Sequence, residues 1–424
     1  KIVIVDNCAA TEHHELTRLC KSPKSTVSLL TIEYDVQDGE PEDSEVYQML
    51  PSSNECIVDI LKQRKFYKND QDYNRIALLA GGNARVAIVL AKATKKEKNL
   101  NELKDEELFE RIFWQKGKFD DSLYKTAEVC SLVYSFSINQ NKEKTDEIRV
   151  LASLYDISIR DMVRNVNRLY KRQIVQKRSH WRAVLPHALA NRLAKEALEN
   201  LGAEIVLETM NNSSNHMIRS FSKRMSFLHD SKEAQDIFDA WLKLPLMTSP
   251  NYWSDVCQYR LEDAAPVIPE QVLSFIEQMY KRDKGEYLLG GFHEQVIVRI
   301  LSQLAYEPKW FDRSLKILSD LPLKRNKRED VSGFFQIVYS GTYALIDQRL
   351  HFVQTLLHHN NENYIQLGID CLDRMLQCKH QIRYLYKGFE SFGMYQRDNG
   401  LDLSGEYKSW YLRVIEFITI EMSA

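Results

Sequence analysis

Cysteine is scarce in this 424-residue chain and is scattered where it occurs. Cys8, Cys20, Cys56, Cys130, Cys257, Cys371 and Cys378 include no CxxC pair. That excludes a zinc-ribbon spacing and a disulfide framework, and it fits a reducing compartment. An excess of one charge is also missing, since 57 Lys and Arg face 59 Asp and Glu for a net charge of −2. Nothing therefore draws the whole molecule toward nucleic acid or anionic lipid, and any basic surface must be local. No apolar run is long enough to span a bilayer, and the opening apolar stretch is too short for a signal peptide. Together these absences lead to the expectation of a cytoplasmic protein without a membrane partner.

What is present is globular composition, 44% hydrophobic and 27% charged. The length calls for about two to four domains. The chain opens on Lys1, not Met, directly before an apolar strand, which gives the expectation that an upstream portion precedes it. Ile2-Val3-Ile4-Val5 is a β-branched run ending in Asp6-Asn7, the pattern of a strand buried on both faces of a parallel sheet. A helix is expected around Thr11 to Lys21 and a second strand over Val27 to Ile32. This is a βαβ unit with its polar residues at the C-terminal strand ends, where open α/β sheets bind ligands. Asp72 to Ala93 (DYNRIALLAGGNARVAIVLAKA) reads as helix, Gly-Gly break, helix. In the plain reading Gly81-Gly82 caps the first helix and Arg85 is a surface cation.

Lys104 to Lys116 and Ser122 to Phe136 read as helices, the second capped by the Asp120-Asp121-Ser122 stretch. Thr145-Asp146 would cap a third helix through Ala152. Ile157 to Asp161 leads into a fourth, Met162 to Gln173. Ile174 to Lys177 and Trp181 to Leu185 then form two short strands around a charged turn. Helix, turn, helix and hairpin make a winged-helix pattern. Arg160, Arg164, Arg168 and Arg172 recur every four residues along its second helix, with Lys171, Lys177 and Arg178 extending the basic character into the wing. Two kinds of use fit this stripe: phosphate contact with DNA, or a bland role as a solvated face or as a docking surface for acidic and nucleotide-bearing parts of the protein. The neutral total charge favours the second. His187, in LPHALANRLA, reads as a cap or core residue.

Beyond residue 205 apolar residues recur at three and four. The helical stretches are Ile218–Leu228, Ala234–Leu244, Val272–Tyr280, His293–Leu304, Trp310–Leu318, Phe334–Leu357, Tyr364–Leu376 and Trp410–Ile420. No strict period repeats, so an irregular stack of helix pairs is expected, a form that offers long concave surfaces. Ser340-Gly341-Thr342 would let two helices approach closely, and Arg397-Asp398-Asn399-Gly400 reads as a turn. His358-His359 is an unlikely metal pair, because adjacent helical residues point apart.

The strand ending in Asp6, the strand after it and the helix–break–helix segment together resemble the Walker B, sensor 1 and lid elements of STAND and AAA+ P-loop ATPases. The resemblance implies that Asp6 is a catalytic and metal residue, holding the water shell of Mg²⁺ beside bound ATP. It places Asn7 where many relatives carry a second acid, Thr31 at the sensor 1 position and Arg85 at the sensor 2 position. Gly82-Asn83-Ala84 lacks the proline of the GxP motif common in STAND proteins. No GxxxxGK[ST] occurs in the chain. In the family that loop precedes Walker B, so this chain alone is not expected to hydrolyse ATP. Phe334 to Leu357 and Phe389 to Gly400 are similar to segments of large bacterial STAND-like NTPases, some of which act in antiviral defence.

The expected fold is therefore mainly α: part of a P-loop core (1–50), a helical lid (51–104), a winged helix (105–205) and a helical repeat-like region (206–424). The expected function is a nucleotide-controlled switch that forms homo-oligomers. Its partners would be upstream ATPase and effector segments, and a protein trigger on the helical region. The alternatives are a winged-helix transcription regulator that binds DNA and a helical adaptor without enzymatic activity.

Overall fold

The computed structural model of the chain describes residues 2–6, 10–22, 25–32, 52–66, 70–80, 82–94, 105–115, 118–138, 146–185, 187–244, 247, 255–283, 294–320, 329–337, 342–377 and 406–423. It is mainly helical with small parallel and antiparallel sheets. No described helix is long and apolar enough to cross a membrane. The chain divides into two compact units, Lys1–Ser52 and Ser53–Ala424.

The first unit is the expected βαβ element. Strand β1 (Ile2–Asp6) and strand β2 (Ser28–Ile32) pair in parallel through helix α1 (Ala10–Cys20). The register sets Val5 against Thr31 and Asp6 against Ile32.

The second unit begins with three helices, α2 (Asn54–Gln63), α3 (Asp70–Leu79) and α4 (Ala84–Thr94). They bury Ile57, Leu61, Ile76, Val86 and Leu90 against one another. The break between α3 and α4 lies where the double glycine placed it. Gly82 has φ of 78°, a backbone shape a side chain rarely adopts. Asn83 then caps α4, its Oδ1 accepting from the backbone N–H of Arg85 and Val86 at 3.0 and 3.1 Å.

A short helix α5 (Asp105–Glu110) follows, continued by a tight turn at Arg111–Phe113. The sequence pattern ran this helix on to Lys116. Instead Trp114–Gln115 (β3) pairs with Lys118–Phe119 (β4), and Arg111 lies 3.7 Å over the Trp114 ring. Next come α6 (Asp121–Ser131), β5 (Phe136–Ser137), α7 (Glu147–Ser153), α8 (Ile159–Lys171), β6 (Val175–Arg178) and β7 (Trp181–Val184). The strands form one antiparallel sheet in the order β5-β7-β6. Helix–strand–helix–helix–hairpin with this strand order is a winged-helix arrangement. Leu123, Ala127, Phe136, Leu151, Met162, Leu169 and Val184 are its sealed core. Three details differ from the sequence reading. The helix expected to run to Phe136 ends at Ser131, and Phe136 opens β5. Helix α8 starts at Ile159, three residues early, because Ser158 Oγ accepts from the Asp161 N–H at 3.1 Å. Asp146 makes no side-chain cap and instead binds Arg149 at 2.8 Å.

The remaining helices are α9 (His187–Leu201), α10 (Ala203–Asn211), α11 (Asn215–Met225), α12 (Lys232–Leu242), α13 (Asp255–Ala264), α14 (Pro269–Asp283), α15 (Glu294–Leu304), α16 (Pro308–Leu318), α17 (Ile346–Leu357), α18 (Glu362–Leu376) and α19 (Glu406–Ser423). Some helices pack on their chain neighbours (α15 on α16, α17 on α18) and others on the next but one (α10 on α12, α11 on α13), burying Phe221, Phe238, Trp241 and Phe311. The stretch Phe334 to Leu357 is not one helix. Gly333–Phe335 is a single tight turn, Thr342–Leu345 is non-helical, and α17 starts at Ile346. Buried Arg349 is the reason: its guanidinium donates to the carbonyls of Phe334, Gln336, Thr342 and Ala344. Those carbonyls would otherwise lie in the interior unpaired. Ser340, Gly341 and the segment Phe389 to Gly400 lie outside the described residues. Among the described residues a close approach of two helices occurs at Gly368, where an added Cβ would stand 3.0 Å from Leu357.

Candidate functional site

The residues singled out by sequence fall into three places. The first is the C-terminal edge of the parallel strand pair. Asp6 ends β1, and Thr31 sits one register position earlier on β2. Asn7 lies outside the described residues. The Thr31 hydroxyl is 2.9 Å from His13 Nδ1, and His13 Nε2 is 3.2 Å from the Thr17 hydroxyl. A polar chain thus ties β2 to α1. His13 was not marked by sequence, because its partner lies 18 residues away in another element.

The second place is the start of α4. Arg85 Nε and Nη2 donate to the carbonyl of Gln173 at 3.2 and 2.9 Å. Lys92, two turns further along α4, donates to Gln173 Oε1 at 3.2 Å. The arginine expected to reach a phosphate therefore grips the winged helix here. Gln173 ends α8 in a specific way. The Gln173 N–H bonds to Tyr170 O and the Ile174 N–H to Leu169 O, at 2.9 and 3.0 Å. This is a Schellman cap, and its left-handed position normally belongs to glycine. Gln173 has φ of 64°, a conformation costing a residue with a side chain about 1 kcal/mol. Both its main chain and its side chain are held by α4. Neither Gln173 nor Lys92 was legible as a site residue, since nothing in the local pattern distinguishes them.

The third place is the arginine stripe, which divides. A step of four residues on an α-helix overshoots a full turn by about 40°, so four such residues spread across about a third of the circumference. Arg160 and Arg164 are exposed, Arg164 pairing with Asp161 at 2.7 Å. Arg168 and Arg172 turn inward. Arg168 binds Asp120 and the Asn165 amide oxygen. Arg172 donates to the carbonyls of Ile112 and Trp114. Burial pushes the Asp120 carboxyl up. The Arg168 and Leu123 hydrogen bonds, with the charges of Arg168 and Arg172, outweigh it and hold the carboxyl below the usual range. These two arginines fasten α8 to the start of α6 and the turn before it, a packing role inside the same region that the sequence reading did not foresee.

Two further features were weighed as sites. A cavity of about 300 Å³ lies between α5, α6 and α9, lined by Phe109, Phe113, Tyr124, Leu193, Arg192 and Glu196. Its polar groups satisfy one another, with Tyr124 and Arg192 both donating to Glu196. Behind it burial pushes the Glu128 carboxyl up to about 7, while Asn200 donates to it at 2.8 Å. His187 stacks on Tyr134 at 4.8 Å, and burial followed by the charge of Arg224 brings it down to about 4. It is a core residue.

His358 and His359 diverge as their adjacency requires. His358 pairs with Glu421 at 2.9 Å, and His359 stacks on Tyr364 at 4.1 Å. Among the described residues no group of three or more His, Cys, Asp or Glu side chains is arranged to hold a metal ion. With Arg85 on Gln173 and no phosphate-cradling loop in the sequence, the described residues do not by themselves make a nucleotide site. No protein-family model, no curated protein and no solved structure matches the chain.

Proposed function

We propose that this chain is the transmitting part of a cytoplasmic, STAND-like nucleotide switch. The lid helix α4 and the winged helix move as one body, and the helical region after residue 205 receives a protein trigger. ATP and Mg²⁺ are the cofactors this reading calls for in the full-length protein, with Asp6, Asn7, Thr31 and Arg85 as the residues nearest them. A homo-oligomer is its active form, and bacterial antiviral defence is a setting that fits it. The observation that carries the reading is the grip of Arg85 and Lys92 on Gln173. A non-glycine residue held in a strained conformation by two cations of another element is the kind of contact found at switch regions. It joins the lid's first-turn arginine to the end of α8, so any ligand that binds Arg85 bears on the winged helix. A ligand biases such a body only through unequal affinity for its states.

The test uses the full-length protein and measures its oligomeric state with and without Mg-ATP. Arg85→Gln is expected to abolish the nucleotide response. Gln173→Gly relieves the backbone strain, so it should keep or slightly raise the melting temperature while weakening that response. A nucleotide response unchanged in both variants rejects the reading.

A further inference from the structure

Once Arg168 and Arg172 are assigned to packing, a different cationic face stands out. On α8 the exposed polar positions are Arg160, Arg164, Asn167 and Lys171, with Tyr170 exposed beside them. They are spaced by four, three and four residues, so they share one side of the helix over about three turns. Met162, Val166 and Leu169 are buried, and α8 packs on α6, α7 and β6. The wing adds Lys177, Arg178 and His180, all exposed. Arg182 is separate from this set. It is buried, and its guanidinium closes the wing turn by donating to the carbonyls of Ser179 and Trp181 at 2.9 and 2.7 Å.

Charge supports the same face. From Asp146 to Arg182 nine Lys and Arg stand against four Asp and Glu, a net +5 in a chain whose total is −2. Asp146 and Glu147 are buried and engaged by Arg149 and His216. Asp161 pairs with Arg164 in the open, where an ion pair contributes at most about 1 kcal/mol. A phosphate can take its place at the guanidinium.

We infer that α8 and the β6–β7 wing bind double-stranded DNA, a function separate from the switch proposed above. The Arg160, Arg164, Asn167 and Lys171 face enters the major groove, and Lys177 and Arg178 lie on the flanking phosphates. The B-form major groove admits a helix, whereas that of duplex RNA is too deep and narrow. Arginine and asparagine side chains are those that read guanine and adenine edges in that groove. An anionic membrane surface would call for an apolar face beside the cations, and Tyr170 is the one large apolar residue exposed on α8.

The experiment is fluorescence anisotropy of the whole chain with a labelled duplex of two helical turns, across a KCl series. Binding at low salt should weaken linearly on a log–log plot. Each phosphate contact contributes about 0.9 to the slope, so Arg160→Gln, Arg164→Gln and Lys171→Gln combined should reduce it by up to about 3. The same triple variant should weaken binding at least about tenfold. Asp161→Asn frees Arg164 and should tighten binding severalfold, a gain that misfolding cannot imitate. Lys232→Gln with Lys243→Gln, on the exposed surface of α12 and its end, should leave both quantities unchanged. The inference is overturned by no binding at low salt, by a triple variant that melts and binds like the parent, or by equal affinity for duplex RNA. Capture by phosphatidylserine vesicles without DNA binding overturns it as well. If the triple variant fails to fold, an Asp161→Asn protein that binds DNA no more tightly than the parent overturns it.

Discussion

Two of the small sheets, the parallel pair of the first unit and the three-stranded sheet of the winged helix, are made of similar residues and end in different physical states. In the winged helix Phe136, Val175 and Val184 are sealed, none more than 1% exposed, beneath helices α6 to α8. In the first unit Ile2 is 71%, Ile4 63% and Leu30 50% exposed. A parallel pair of strands is stable when both faces are covered, and among the described residues of that unit the covering element is α1. The lesson is that a β-branched run reports what a strand needs, while burial depends on whether other layers supply it. The winged helix supplies its own layers. The first unit carries the pattern of a strand made for a larger sheet.

The contrast can be broken most directly by truncating one residue from each sheet. Phe136→Ala should destabilise the second unit by about 3–5 kcal/mol, the usual cost of emptying a sealed aromatic position. Ile4→Ala should cost less than about 1 kcal/mol, because most of the side chain already meets water. Equal losses in a urea melt would show that β1 is buried after all.

A second measurement sharpens the point that the winged helix is closed enough to perturb an acid. Burial raises the folded Glu128 carboxyl well above the usual carboxylate range, to about 7. A raised carboxyl favours folding below the unfolded pKa, and that advantage is lost as pH climbs through the folded value. Glu128→Gln should therefore leave stability unchanged near pH 4 and raise it by about 2 kcal/mol at pH 8. A variant that tracks the parent at both pH values contradicts the assignment.

The smallest expected effect concerns the inward arginines. The Asp120 carboxyl, held low in the folded state, stabilises the protein above its unfolded pKa and loses that contribution as pH falls through the lower folded value. Arg168→Gln should cost about 1–2 kcal/mol at pH 7 and flatten the acid limb of the stability curve. Arg160→Gln, on the outer face, should do neither.

Much of the architecture was legible in the sequence, and the gaps have physical reasons. The βαβ unit, the helix–break–helix of α3 and α4 and the winged helix were readable because apolar spacing, the double glycine and the cap residues agreed with one another. Helix α8 begins ahead of its apolar pattern because the Ser158 cap sets its first turn. The arginine repeat of four drifts around the helix, so its two ends face different surroundings. Phe334 to Leu357 keeps a helical apolar pattern across a break that Arg349 stabilises through carbonyls brought close only by folding. Of the expected site, the strand ends and Arg85 fall where the pattern put them, but their partners did not declare themselves. His13 and Gln173 act through contacts 18 and 88 residues distant.

The cap at Gln173 also fixes a pointer. Helix α8 advances about 1.5 Å per residue, so Arg160 lies about 20 Å from the place where α4 takes hold of Gln173. A helix is stiff over that span. A tilt of about 10° at the gripped end would swing Arg160 sideways by about 3.5 Å, close to the rise of one base pair. Small rotations of α4 would thereby be magnified at the opposite tip of the helix, in the first turn of α8.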